Sequence, residues 1–213
     1  MGAIPSKEEW FRALAKKQGE ALQKRIADTS VAVCGCGGLG SNIAVTLARA
    51  GVGRLILIDF DTVDITNLHR QQFKANQIGL AKAAALKENL AEIAPYTAVT
   101  AHTRRLDESN IVALTGGADI ICEAFDKAEN KAALVNTVLT ELPDTWLVAA
   151  AGMAGDGPAN DIVTRRVTKR FYLCGDGVSD IGDGLCLLPS RVQLCAAHQA
   201  HAVLRIIAGA YDC

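Results

Sequence analysis

The chain has 213 residues, half of them hydrophobic, which is enough apolar material for one domain with a sizeable core. Its formal charge of −1 gives no reason to expect a nucleic acid or an anionic membrane as the main partner. No apolar run is long enough for a membrane span and the polar N-terminus lacks a secretory signal, so we expect a cytoplasmic protein.

The hydrophobic pattern predicts strands that alternate with helices. In chain order it predicts helix 7–27, strand 31–34, helix 41–50, strand 55–58, helix 80–93, strand 99–102, helix 110–114, strand 120–122, helix 127–139 and strand 146–151. The first two strands are continuously apolar, which is typical of parallel strands covered on both faces. We therefore expect an α/β doubly wound, mainly parallel sheet.

Beyond Gly152 the pattern changes. A loop is followed by a weakly alternating stretch, 162–173, that suits exposed strands, and then by a loop rich in glycine and aspartate. The last helix is predicted to begin with Ser190 as N-cap and to end at Gly209. No repeat or linker divides the chain, so we expect a single domain overall, with an N-terminal helical segment at 1–27 and the main body at 28–213.

A glycine-rich loop, GCGGLG, joins the first strand to the next helix and fits the pattern G-x-G-x-x-G. Glycines let the backbone turn tightly and approach phosphate oxygens, and the amides of the following helix then face the negative charge. Asp59 ends the second strand, where a carboxylate can accept hydrogen bonds from ribose hydroxyls. The pattern predicts a nucleotide site and leaves NAD and ATP both open. The loop glycines are Gly35, Gly37, Gly38 and Gly40.

The polar residues after Asp59 favour nucleotidyl transfer over hydride transfer. A nucleotidyl-transfer enzyme must hold a triphosphate and neutralise the charge that grows on its α-phosphate. Asp126 follows a further strand, at the sheet edge where ligands bind, and its carboxylate suits a Mg²⁺ ion that bridges phosphates. The candidate phosphate donors are Asn67, Arg70, Gln71 and Lys82.

Together these motifs resemble the ThiF and MoeB group of adenylyltransferases, which activate ubiquitin-like sulfur carriers and are kin to ubiquitin-activating enzymes. The resemblance runs from about residue 28 to the C-terminus and rests on GCGGLGSN, LIDFDTVDITNLHRQ, GLAKAAAL and EAFDKAENK. The stretches AAGMAG, FYLCGDG and CAAHQAHAVLRII are similar to a short ThiF branch associated with thiamine biosynthesis. The resemblance implies a Rossmann-like sheet with an ATP-binding adenylation domain at 28–213.

The resemblance also implies a role for each candidate residue. The loop glycines would bind the triphosphate of ATP, Asp59 the ribose and Asp126 the Mg²⁺ ion. Asn67, Arg70 and Lys82 would contact phosphates and stabilise the transition state. The C-terminal Gly-Gly carboxylate of a ThiS-like carrier would attack the α-phosphate, and pyrophosphate would leave. A carboxylate is already an adequate nucleophile, so catalysis would be mainly positioning and charge stabilisation.

The cysteines depart from the family pattern. Members typically carry two CxxC pairs that bind zinc, whereas this chain has seven cysteines and no CxxC, so we expect reduced thiols and no zinc. Cys174 is the candidate catalytic thiol because a glycine-rich loop is expected to expose it, and Cys186 has a weaker claim. Three further cysteines are expected to be packing residues: Cys34, Cys36 and Cys122.

Other features leave alternatives open. The resemblance implies a homodimer in which an N-terminal helix supplies an arginine to the partner's site, and neither Arg12 nor Arg25 is singled out. His198 and His201 are expected to be packed or interfacial rather than metal ligands. The basic stretch 165–170 fits a solvated strand and a surface for an acidic carrier equally well.

Three functions remain in competition. The leading one is adenylation of a ThiS-like carrier for thiazole synthesis. The second is the same chemistry on a molybdopterin-type carrier or a tRNA-bound carboxylate, although the weak net charge speaks against tRNA. The third is an NAD-binding oxidoreductase or a nucleotide-sensing module. That class would not need all of Asn67, Arg70, Lys82 and Asp126.

Overall fold

A computed structural model describes residues 3–212. The first two residues of the predicted N-terminal segment and Cys213 lie outside this range. Within that range, seven strands form one sheet: β1 Ser30–Cys34, β2 Arg54–Ile58, β3 Ala98–His102, β4 Ile120–Glu123, β5 Trp146–Ala150, β6 Val163–Thr168 and β7 Phe171–Gly175. The α-helices are α1 Lys7–Gln18, α2 Glu20–Asp28, α3 Gly38–Ala50, α4 Lys82–Ile93, α5 Ile111–Thr115, α6 Ala128–Glu141 and α7 Pro189–Ala208.

The strand order is β3-β2-β1-β4-β5-β7-β6, and every neighbouring pair is parallel except β6 and β7. Alternate residues of the central strands enter different cores, because side chains alternate across a strand. Val31 and Val33 pack with α3, α4 and α7, whereas Ala32 and Cys34 pack with α5 and α6. The predicted doubly wound, mainly parallel sheet is confirmed.

The strand order reverses between β1 and β4, so the loops that follow them diverge and leave a crevice between them. Backbone hydrogen bonds fix those loops at the carboxyl ends of the strands. The Gly35 amide donates to the Ile58 carbonyl at 2.8 Å, and the Ala124 amide donates to the Cys34 carbonyl at 2.9 Å. The glycine loop, the residue after β2 and the loop after β4 therefore share one edge of the sheet.

The predicted single helix at 7–27 is wrong in one respect, because Gly19 divides it into α1 and α2. Gly19 has φ +89°, which is outside the helical range and is accessible to glycine at little cost. Ser6 caps α1 through a capping box with Glu9. A glycine in the middle of an amphipathic pattern was the available signal for this break.

The C-terminal half differs from prediction at two points. β6 is an exposed edge strand as expected, but β7 is largely buried because it pairs with both β5 and β6. Helix α7 begins at Pro189 with Leu188 at the cap, so Ser190 is not the N-cap. Proline suits the first helical position because its fixed φ is helical and its missing amide is not needed there. The predicted end at Gly209, in the left-handed conformation, is confirmed.

Among the described residues, no helix is both long and apolar enough to cross a membrane.

Two arginines of the basic stretch 165–170 hold the C-terminal turn. Arg166 lies over the Tyr211 ring at 5.9 Å and donates to the Tyr211 carbonyl at 3.2 Å. Arg170 lies over the Trp146 ring at 5.4 Å and pairs with Asp144 at 3.2 Å. Trp146 in turn stacks on Tyr211 at 4.9 Å between ring centroids. These guanidinium groups are thus engaged in intramolecular contacts.

Candidate active site

A pocket of about 560 Å³ opens at the carboxyl edge of the sheet, a volume within the usual range for small-molecule sites. Six basic and four acidic side chains line it, a balance that favours an anionic ligand. Gly40 lies behind the lining, inside α3. The sequence-predicted residues that the fold brings together in the lining are Gly35, Gly37, Gly38, Asp59, Asn67, Arg70, Gln71, Lys82 and Asp126.

The loop glycines serve different geometric needs. Gly37 precedes the first turn of α3, whose leading amides have no intrahelical acceptor and so suit an anion. A Cβ atom on Gly37 would contact only the Gln71 Nε2 atom, at 3.7 Å. A Cβ atom on Gly40 would lie 1.8 Å from the Gly35 carbonyl oxygen. Gly40 is therefore required by the fold of the loop, whereas Gly37 leaves space through which a phosphate could approach.

Asp59 ties the end of β2 to the glycine loop. Its Oδ2 atom accepts the Cys36 amide at 2.6 Å, and its Oδ1 atom accepts the Asp61 amide at 2.8 Å. Burial raises the pKa of Asp59, and the two amides and Lys82 oppose that rise. Each carboxylate oxygen has two lone pairs, so Asp59 retains capacity to accept hydrogen bonds from ribose hydroxyls.

Lys82, the first residue of α4, places its ammonium group in the pocket wall. Its side chain is 8% exposed, and Nζ donates to the Asp61 Oδ2 atom at 3.1 Å. The Lys82 amide also donates to the Asp61 carbonyl at 2.9 Å. Asp61 was not predicted from the sequence, although it lies only two residues after Asp59 in the polar loop that follows β2.

Arg70 and Gln71 cover the glycine loop. The Asn42 Nδ2 atom donates to the Gly38 carbonyl at 2.6 Å and to the Arg70 carbonyl at 3.1 Å, which joins α3 to the loop after β2. Burial lowers the pKa of Arg70, and the nearby Asp126 carboxylate opposes that effect. The Gln71 Oε1 atom is buried with no hydrogen-bond partner. Since buried polar atoms are nearly always paired, this acceptor marks a place for a ligand or water.

Asp126 lies exposed in the loop between β4 and α6, on the pocket side. The described residues contain no group of three or more His, Cys, Asp or Glu side chains that could hold a metal ion by themselves. Mg²⁺ at nucleotide sites is usually held by one or two carboxylates together with the phosphates. The donor set at Asp126 thus fits a magnesium ion that arrives with a nucleotide.

A family model described as the ThiF family matches residues 11–210, almost the entire chain. The chain belongs to the ThiF family. Ubiquitin-like modifier-activating enzyme 5 of Arabidopsis thaliana is 34% identical over 155 residues, which are 65% of this chain and 35% of that protein. Molybdopterin-synthase adenylyltransferase of Salmonella typhimurium is 31% identical over 154 residues, 71% of this chain and 60% of that protein. This ThiF-family chain spans about a third of the first relative's length.

Solved structures share the fold of this ThiF-family chain. E. coli tRNA N6-threonylcarbamoyladenosine dehydratase, TcdA, in complex with ATP has a TM-score of 0.86 at 22% identity, and the match covers 97% of this chain and 98% of that one. E. coli MccB with ATP has a TM-score of 0.71 at 22% identity, covering 98% of this chain and 67% of that one. The predicted family and fold are therefore confirmed.

The expectation that a loop exposes the Cys174 thiol of this ThiF-family chain is wrong. Cys174 lies in β7 with none of its surface exposed, and its Sγ atom is 3.6 Å from the Thr164 hydroxyl of the neighbouring strand. A thiol enclosed by the sheet cannot reach a substrate in the pocket. Cys186 is exposed on the segment before α7. The three cysteines predicted to be packing residues are buried: Cys34, Cys36 and Cys122.

His198 packs against the sheet, as expected for one of the two helix histidines of this ThiF-family chain. Its Nδ1 atom lies 2.9 Å from the Thr164 hydroxyl oxygen, and burial lowers the pKa of His198.

His69 makes a structural contact that was not predicted from the sequence. Its Nε2 atom lies 3.2 Å from the Leu187 carbonyl oxygen, so it connects the loop after β2 with the segment before α7.

A buried ion pair that sequence analysis missed supports the far wall of the pocket in this ThiF-family chain. Arg191 donates to Asp176 at 2.6 Å, to the Gly157 carbonyl at 2.6 Å and to the Ala154 carbonyl at 3.1 Å. Both charged side chains are 6% exposed. The pair joins the loops after β5 and β7 to the start of α7. Its members are 15 residues apart in different elements, which no local pattern reveals.

Replacing Asp176 by asparagine should lower stability most at neutral pH. Burial raises the pKa of Asp176, but hydrogen bonds from Ser179, Val178 and Arg191 outweigh it and hold the pKa well below its usual range. A carboxyl group with a lowered folded-state pKa stabilises the protein above its unfolded pKa of about 3.9, and that contribution is lost as pH falls further. We expect Asp176→Asn to cost about 2 kcal/mol at pH 7, where charged hydrogen bonds are lost.

Urea titrations of both proteins at pH 7 and pH 3 measure this effect. The stability difference should shrink at pH 3, because the unfolded carboxyl group then binds a proton while the folded Asp176 keeps its charge. An equal difference at both pH values would show that the charge of Asp176 contributes nothing.

Proposed function

We propose that this chain is an ATP-dependent adenylyltransferase that activates a C-terminal carboxylate of a small ubiquitin-like carrier protein. The proposal rests chiefly on one observation: Arg70, Lys82 and Asp126 converge with the start of α3 around one pocket. A triphosphate needs such a combination of cations and helix amides, whereas a nicotinamide ring does not. This contrast makes an NAD-dependent oxidoreductase or a nucleotide-sensing module the less supported alternative.

In the proposed complex, the leading amides of α3 and the space beside Gly37 accommodate the phosphates of ATP. Asp59 accepts hydrogen bonds from the ribose. Arg70 and Lys82 neutralise the charge that develops as the carrier carboxylate attacks the α-phosphate and pyrophosphate departs. Asn67 and Gln71, both in the lining, supply further polar contacts.

We propose that Asp126 holds the Mg²⁺ ion that accompanies ATP. When bound, this ion neutralises phosphate charge and orients the pyrophosphate leaving group. Asp126 contributes one exposed carboxylate on the pocket side, and its negative charge acts on Arg70.

For the acceptor, the motifs shared with the short ThiF branch favour a ThiS-like carrier in thiamine biosynthesis. The name of the Salmonella relative makes a molybdopterin-type carrier the nearest alternative. A tRNA-bound carboxylate is a third candidate because TcdA shares the fold along its full length. In the basic stretch 165–170, Arg166 and Arg170 already make intramolecular contacts, which makes their charges less available to tRNA phosphates.

The resemblance also favours a homodimer, with an arginine from an N-terminal helix completing the partner's site. Arg12 on α1 and Arg25 on α2 remain the two candidates for that arginine. Analytical ultracentrifugation measures the assembly, and exchange activity of the Arg12→Ala and Arg25→Ala proteins distinguishes the two residues.

ATP–pyrophosphate exchange with purified acceptors tests the proposed function. The panel contains a ThiS-like carrier, a molybdopterin-type carrier, each of them without its last two glycines, and tRNA that carries a threonylcarbamoyl group. We expect exchange with an intact carrier and none with its shortened form, because the attacking carboxylate is then displaced from the α-phosphate. Exchange that is indifferent to the glycines, or that occurs with tRNA alone, would contradict the carrier proposal.

A further inference from the structure

A buried ion pair outside the predicted site lies directly beneath the loop between β4 and α6, which carries Asp126. Glu123, the last residue of β4, is 1% exposed. Its carboxylate accepts the Phe125 amide at 2.6 Å, the Ala150 amide at 3.3 Å and the Lys131 ammonium at 3.1 Å to each oxygen. Glu123 thereby connects the ends of β4 and β5 where the two strands stop pairing.

Lys131 lines the pocket, but its donors are directed into the protein. Its Nζ atom donates to both oxygens of Glu123 and to the Ala150 carbonyl at 3.2 Å. An ammonium group has three N–H donors, so these contacts account for all of them. Lys131 is thus unsuited to binding phosphate, in contrast to Lys82 on the other wall.

The pair holds the loop that carries Asp126 at both of its ends. At the start of the loop, Glu123 accepts the Phe125 amide. At its end, Lys131 attaches the first turns of α6 to the same carboxylate. The carbonyl of Glu123 is fixed as well, since it accepts from the Gln199 Nε2 atom at 2.8 Å. The loop cannot shift without breaking hydrogen bonds to a buried charge, which is costly.

We propose that Glu123 and Lys131 are positioning residues that hold the Asp126 carboxylate where the magnesium of a bound nucleotide requires it. The inference rests on the proposed function, because it assumes that Asp126 meets the MgATP complex. In this role the two residues neither touch the nucleotide nor transfer a proton. Side chains that orient a metal-binding residue typically change metal affinity by about 10–100-fold when they are removed.

Calorimetric titration of ATP into the protein, once with EDTA and once with MgCl₂, tests the pair without relying on turnover. The quantity compared is the gain in ATP affinity that magnesium provides. Asp126→Asn should abolish that gain. Lys131→Met should reduce it by about tenfold while leaving metal-free ATP affinity unchanged, because the phosphate contacts remain. Lys131→Arg, which keeps the cation, should restore most of it.

Lys74→Met is the matched control, since Lys74 forms an exposed pair with Glu92 at 2.6 Å, away from the pocket. It should keep the wild-type gain. Should Lys131→Met fail to fold, the Glu123→Gln/Lys131→Met double variant provides the same comparison without an uncompensated buried carboxylate.

The outcomes separate the two proposals. A wild-type magnesium gain in Lys131→Met, or an equal loss of affinity in both buffers, would overturn the positioning role and leave Asp126 as the magnesium residue. A wild-type gain in Asp126→Asn would overturn the magnesium assignment itself, and with it the role of the pair.

Discussion

Alanine at Arg70 or Lys82 is expected to slow ATP–pyrophosphate exchange by about 10²–10³-fold, the usual loss when one preorganised charge-stabilising donor is removed. Both cations line the pocket, and neither is needed to complete the hydrophobic core. The Arg70 guanidinium makes local contacts: it donates to the Thr66 carbonyl at 3.3 Å and lies 3.4 Å from the His69 Nε2 atom. The loss should therefore appear in the rate constant at saturating ATP, because the missing charge acts mainly in the transition state.

Stability should change little in either variant. Removal of Lys82 leaves the Asp61 side chain unpaired, but that side chain is 49% exposed and can be solvated by water. The control is Lys74→Ala, which removes a surface ion pair of the kind that contributes about 0–1 kcal/mol. Its exchange rate should match the wild type. Exchange near the wild-type rate in both pocket variants would refute their assignment.

Gly40→Ala is expected to destabilise the protein by about 3 kcal/mol or more, because overpacking against rigid backbone has few ways to relax. The new Cβ atom would lie 1.8 Å from the Gly35 carbonyl oxygen. Helix propensity acts in the opposite direction, since alanine is favoured over glycine inside a helix by about 1 kcal/mol. The sign of the measured change in unfolding free energy thus decides whether the loop contact or the helix propensity dominates.

Gly37→Ala is the informative partner of that variant. Its φ of −79° is accessible to alanine, and its Cβ atom would meet nothing closer than 3.7 Å. We expect near wild-type stability but weaker ATP binding, because the methyl group would project into the space proposed for the phosphates. Thermal unfolding and ATP titration of both variants measure the two effects separately. If the Gly37→Ala protein binds ATP as tightly as the wild type, the phosphates do not occupy the space beside Gly37.

The parts of the fold that were predictable depend on local patterns. The apolar runs of β1 and β2 identified buried parallel strands, and the left-handed Gly209 identified the end of α7. Strand pairing is not local. The segment FYLCG resembles an exposed strand that runs into a loop, yet β7 is buried because β5 and β6 lie on either side of it. The expectation for Cys174 was wrong for the same reason.

In the candidate site, too, residues marked by a local pattern could be predicted and residues paired through the tertiary fold could not. Asp59 and Asp126 could be located from sequence because Asp59 directly follows β2 and Asp126 comes three residues after the end of β4. Positions just beyond the carboxyl ends of neighbouring parallel strands meet at one sheet edge. The supporting pairs could not be located. Glu123 and Lys131 are separated by eight residues that span a strand end and a helix. Their partnership depends on how α6 folds back over β4, and buried charge pairs leave no periodic signature in a sequence.

The central claim is that the adenine nucleotide is consumed at its α-phosphate. Intact mass measurement of a Gly-Gly-ended carrier after incubation with the protein and MgATP tests it most directly. We predict a carrier heavier by one adenylyl group, formed together with pyrophosphate, and no such product from the Arg70→Ala protein. An unmodified carrier together with release of ADP and phosphate, or tight binding of NAD with no use of MgATP, would contradict the account.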